Sequence, residues 1–193
     1  KLYIMAPNYQ AGKDALADII RGYADKSRGV AQAGSNSFPA QKTSYGNDDI
    51  AAISAANRSY YSTDDTVALH VLYLNGSYAP NDQALGLAFN ASTIVVFPDR
   101  IRSVLGEVLF EGAFERALLF HEFGHLLGLV NINYQSEISH EDSVHANHSS
   151  NEGSVMYWAV EDVSVGNILR AGPPQEFDSA DEQDITRIRS GVY

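Results

Sequence analysis

The 193-residue chain contains no cysteine, so it has neither a disulfide framework nor thiolate metal ligands; any metal must be held by imidazole and oxygen. Basic residues are few, with 13 Lys and Arg against 24 Asp and Glu and a formal net charge of −11. That leaves no basic stripe to track a phosphate backbone and argues against a nucleic-acid partner. No apolar run approaches the roughly 20 residues needed to cross a bilayer, and no basic segment followed by an apolar core marks a signal peptide. The chain starts at Lys1, directly in a strand-like segment, as a mature or trimmed form would. The expectation is a secreted, periplasmic or cell-surface monomer, with a lipid anchor before Lys1 left open. The acidity itself reads as a solvated surface.

Hydrophobic residues make up 45% of the chain, enough for one well-cored domain and too few residues in all for two. Lys1–Pro7 alternates like a first strand, and Leu16, Ile19, Ile20 and Tyr23 recur at helical spacing. Residues 29–44 read as a loop rich in Gly, Ser, Gln and Pro. A second helix is expected after an N-cap at Asn47 or Asp48. Asp65–Gly76 is almost continuously apolar, as in a strand covered on both faces. Two more strands, Leu85–Phe89 and Ser92–Pro98, flank Asn90-Ala91, and a last helix is expected after a cap at Asp178 or Ser179. This order predicts an α+β domain with a mixed sheet.

The segment GAFERALLFHEFGHLLGLV (Gly112–Val130) is apolar almost all round, the mark of a helix buried in the middle of a domain. Its polar residues are therefore conspicuous. His121 and His125, spaced i and i+4, project from one face and can grip one ion. Glu122 points about 100° away, beside such an ion, where a general base for zinc-activated water belongs. A buried, unpaired Glu122 would cost several kcal/mol, on the order of the penalty for any buried ion, so a counter-charge or metal is required near it. His70, alone in the strand Asp65–Gly76, reads instead as a satisfied core or surface histidine.

These residues resemble the metzincin clan of zinc metallopeptidases, whose pattern is HExxHxxG, then two residues and a third ligand, with a Met-turn downstream. His121, Glu122, His125 and Gly128 match, and Met156 in GSVMYW looks like the Met-turn. Gly128 would let the helix stop through a left-handed turn so that a third ligand can return to the ion. The usual third position holds Asn131, a poor zinc ligand. The archaemetzincin-like branch places a Cys after the third His, a second Cys five residues later and the Met two residues beyond. His148 to Met156 has that spacing, with Ser149 and Ser154 in place of the cysteines. The chain also resembles bacterial exported, often lipid-anchored, zinc peptidases with similar helices and Met-turns.

The resemblance implies a metzincin-like catalytic domain: a mixed twisted sheet with backing helices and a central active-site helix in residues 1–128, then a small irregular subdomain in 129–193 ending in a helix. It implies a zinc endopeptidase with one catalytic Zn2+ and a peptide or protein substrate. His148 would be the third ligand, with His145 its main rival and Asn131, His140 or a water as further alternatives. Met156 would floor the ion. Tyr157 and Trp158 would wall the substrate pocket, and Gly86, Leu87 and Ala88 would lie on the edge strand along which a peptide pairs. Residues 129–147 would be an inserted loop. Two other functional readings stay open: a gluzincin-type peptidase with Glu137, Glu141 or Glu152 as third ligand, and a zinc-binding module without turnover. A Ca2+ ion beside Glu137, Glu141 and Asp142 is an alternative to an ordinary solvated loop.

Overall fold

The computed structural model describes residues 3–5, 10–24, 27–34, 42–105, 110–162 and 172–191. The ends of the expected first strand, and residues 35–41 of the expected loop, lie outside them. A four-stranded sheet runs in the order β1 (Tyr3–Met5), β3 (Ala68–Tyr73), β6 (Thr93–Val96), β5 (Gly86–Asn90). β1, β3 and β6 are parallel, and β5 returns antiparallel to β6 through a tight turn at Ala91 and Ser92. A second, two-stranded sheet pairs β2 (Ser44–Tyr45) with β4 (Ser77–Tyr78). The sheet is mixed, as expected.

All six residues of β3 are buried because both of its faces are covered. Leu69, Val71 and Tyr73, with Ile94 and Val96 of β6, pack against helices α1 (Gln10–Tyr23) and α4 (Glu115–Leu127). Leu72, Leu74, Val95 and Phe97 turn the other way, onto Ile50 and Ile53 of α2 (Asn47–Asn57). His70 belongs to this second layer: its Nδ1 is 3.0 Å from Ser54 Oγ of α2, and burial, then Arg58, pull its pKa down to about 4. It is a satisfied neutral core residue.

Three local expectations change. The N-cap of α2 is Gly46, one residue earlier than Asn47, because Asp49 reaches back to accept the Gly46 N–H at 3.0 Å. Helix α3 (Pro98–Leu105) was not anticipated, although Pro at a first helical position is favourable. The long apolar helix is shorter than its pattern, since residues 110–114 form a π-helical turn before α4 begins. At the other end Gly128 has φ 91° and its N–H caps the His125 carbonyl at 3.0 Å, the left-handed stop expected there. The last helix, α5 (Ser179–Arg189), is capped by the Asp178 side chain.

Candidate metal centre

Helix α4 is buried from Glu115 to His125 except for partly exposed Arg116, and it runs beneath β5. Its spacing brings His121 Nε2 and His125 Nε2 to 3.0 Å of each other. The chain beyond Gly128 loops out and returns His148, whose ring centroid lies 5.2 Å from that of His121 and 5.1 Å from that of His125. His121 Nδ1 donates to the Val155 carbonyl at 2.7 Å, and His148 Nδ1 to the Ala146 carbonyl at 2.8 Å. Because a carbonyl only accepts, these bonds put a proton on each Nδ1 and turn the two Nε2 atoms toward the cluster, where, against the opposing effect of burial, Glu161 holds the His148 pKa above its ordinary value. Burial, then His121, hold the His125 pKa well below its ordinary value, so this ring is neutral at neutral pH. Three imidazoles thus each offer a ring nitrogen within 4.8 Å of the others. The donor set therefore fits zinc.

The rival residues lie elsewhere. The Asn131 amide donates to Glu141 Oε2 at 2.6 Å and its oxygen accepts the Ser136 N–H at 2.9 Å, so it ties the inserted loop together. His145 stacks on Trp158, with ring centroids 3.9 Å apart, and its Nδ1 meets Asp142 at 2.9 Å. Glu137 pairs with Arg187, Glu141 also accepts the Asn147 N–H at 2.7 Å, and Glu152 is exposed. None of these three gluzincin-type candidates is in the histidine group. The same bonds, with Asp142 capping Val144 and His145 N–H groups, satisfy the acidic side chains once considered for Ca2+.

Met156 is fully buried and packs against Gly124, where any Cβ would collide with its sulfur. The turn carrying it is braced without thiols. Ser154 Oγ accepts the Met156 N–H at 2.9 Å and donates to Asp181 at 2.5 Å, and Ser149 N–H donates to the Met156 carbonyl at 2.8 Å. Ser149 Oγ adds a bond from the Asn151 N–H at 3.1 Å, so both serines hold the loop by hydrogen bonds.

Glu122 is fully buried, and neither of its oxygens has an aligned hydrogen-bond partner among the described residues. Burial, then the negative charge of Glu161, raise its pKa well above the carboxylate range, with the Ala88 amide acting weakly the other way. A Cβ at Gly86 would stand 3.0 Å from Glu122 Oε1, so the absent side chain there makes room for the acid. Gly86 and Ala88 thus face the site, whereas the side chain of Leu87 joins the core on the opposite face of the sheet. Tyr157 and Trp158 are partly buried neighbours, 5.6 Å between ring centroids, with Trp158 opening a short 3-10 turn, Trp158–Val160.

Glu161, just past that turn, escaped the sequence reading. Its Oε1 is 3.0 Å from His148 Nε2 and its Oε2 3.6 Å from His121 Nε2. His121, His125, His148 and Glu161 all place a donor atom within 4.8 Å of one another. A second such group, His140 with Asp178 and Asp181, lies where the inserted loop meets α5.

No family model matches the sequence, and a search of curated proteins finds no significant relative. Solved structures do match. An archaemetzincin from Methanopyrus kandleri aligns over 98% of this chain and 94% of its own, with a TM-score of 0.61. The fold is archaemetzincin-like. A zinc-dependent peptidase from Methanocorpusculum labreanum aligns over 96% of this chain and 100% of its own, with a TM-score of 0.56. Both are 14% identical to this chain, so the likeness is one of backbone. This archaemetzincin-like fold is the frame within which the histidines converge.

Proposed function

We propose that the chain is a zinc-dependent endopeptidase whose metal ligands are His121, His125 and His148 and whose general base and acid is Glu122. The observation that supports this most is the convergence of three imidazole nitrogens beside a carboxylate that is fully buried and has no aligned hydrogen-bond partner among the described residues. An ion held by the three histidines supplies Lewis acidity toward water and toward a carbonyl oxygen. The rest is done by the chain. Glu122, one position along α4 from His121, takes a proton from the attacking water and delivers it to the departing amine. Burial strengthens it as a base. The Val155 and Ala146 carbonyls hold two ligand rings in the required tautomer.

β5 is the outer strand of the sheet and passes over Glu122 at Gly86 and Ala88. An extended peptide adding to this edge would pair through its main chain, which every peptide offers. Tyr157 is then the better candidate for a pocket wall, since Trp158 is already covered by His145 on one face. Met156 supports α4 from below by filling the space over Gly124. The test is cleavage of a mixed peptide library by zinc-loaded protein. Wild type is expected to cleave internal bonds, and Glu122→Ala to keep zinc and lose cleavage. Bound zinc with no cleavage by wild type would reduce the protein to a metal-binding module.

A further inference from the structure

Glu161 stands where a ligand would stand. Two donors about 2.0–2.2 Å from one tetrahedral ion are about 3.3–3.6 Å apart. The separations at this site are 3.0 Å for His121 to His125, 3.0 Å for His148 to Glu161 and 3.6 Å for His121 to Glu161. The carboxylate thus brings Oε1 to His148 and Oε2 to His121, and all four residues offer a donor atom within 4.8 Å of one another. Its main chain is held as well: the Glu161 carbonyl accepts the Leu85 N–H at 3.0 Å, and Asp162 bridges to Ala84. These bonds fasten the residue to the start of β5, so the carboxylate is delivered from the side of the cleft on which that edge strand lies. An ion at three neutral imidazoles leaves a fourth position open, and this side chain is the acidic group that reaches it.

Building on the reading of the site as a zinc centre, we propose that Glu161 is a fourth, displaceable protein ligand of the metal, occupying in the resting state the position that water or a substrate carbonyl must take. Three neutral imidazoles and one carboxylate reduce the formal charge of a divalent ion to +1. A resting site closed in this way binds the metal more tightly and is less open to small ligands. Pairing of a peptide along β5 would work against the strap at Leu85 and so against this closure.

The test uses the full chain loaded with Co2+, read by its visible absorption, and with Zn2+, read by chelator competition. Glu161→Ala is expected to bind Zn2+ at least about tenfold more weakly, the lower end of what supporting groups around a metal contribute. It is also expected to alter the Co2+ band, and added acetate should restore the wild-type band by refilling the vacated position. Glu161→Gln, nearly isosteric, should behave like Glu161→Ala without acetate rescue, which separates loss of a ligand from loss of shape. Asp162→Ala should match wild type throughout. If Glu161→Ala leaves Zn2+ affinity and the Co2+ band unchanged while His121→Ala abolishes binding, Glu161 is only an ion-pair partner of His148 and the proposal is overturned. If His121→Ala also leaves binding unchanged, the zinc-centre reading itself falls.

Discussion

Glu122 is fully buried, and the proposed role as general base gives that burial a purpose. Both oxygens are buried and lack an aligned hydrogen-bond partner among the described residues, an arrangement concentrated at functional sites. Glu122→Gln keeps the shape and removes the proton shuttle, and should lower kcat about 10²- to 10⁴-fold with zinc content unchanged. Zinc content also decides among the histidines. His148→Ala should lose the metal, and His145→Ala, which only unstacks Trp158, should retain most of it; elemental analysis after dialysis reads both. His121, Glu122 and His125 were legible in the sequence because their relation is local, set by 3.6 residues per turn. Asn131 could be doubted on chemistry alone. Glu161 could not be found that way, since nothing in YWAVED marks an acid that returns to a site formed by residues 13 to 40 positions earlier.

At the scale of elements, α4 is defined by what it has to pass. Gly124 sits in the interior of the helix, where glycine costs about 1 kcal/mol relative to alanine. The contact with the Met156 sulfur explains it: a methyl group there has no room, and Phe177 Cε1 lies 3.1 Å from the same point. Gly124→Ala should therefore destabilise the protein by about 1–3 kcal/mol in urea denaturation despite its better helix propensity, because overpacking outweighs the propensity gain. A stabilised variant would show that the Met-turn can move away. The start of the same helix escapes periodicity. The apolar pattern from Gly112 to Val130 predicts one long helix, whereas the π-turn at Phe110–Phe114 shortens it, a change of hydrogen-bond register that leaves no mark on hydrophobic spacing.

Across the whole molecule, the inserted loop is tied to the C-terminal helix by buried polar groups. His140 lies 3.6 Å from Asp181 and 3.2 Å from Asp184, and Ser136 Oγ donates to Asp184 at 2.8 Å. Burial, then Asp178, raise the Asp181 pKa from 3.8 to about 6, against the opposing effects of Ser154 and His140. A carboxyl with a raised folded-state pKa stabilises the fold fully below its unfolded value and loses that contribution as pH rises through the folded value. Wild type should thus lose stability relative to Asp181→Asn between about pH 4 and pH 7, by on the order of 3 kcal/mol. Denaturation of both proteins across that range in metal-free buffer measures it, and parallel curves would refute it. What the sequence determined by itself was whatever depends on near neighbours: strands by their apolar runs, the one-turn spacing of His121 and His125 with Glu122 beside them by helical pitch, the left-handed stop at Gly128, and a mixed α+β order. Only the tertiary structure decided which distant side chains meet. It brought His148 rather than His145 to the other histidines, sent Leu87 to the far face of the sheet, and set Glu161 at the cluster. Those outcomes depend on how the loop of residues 129–147 and a turn after Met156 pack against α4 and β5, and packing over such separations is not encoded in any local period.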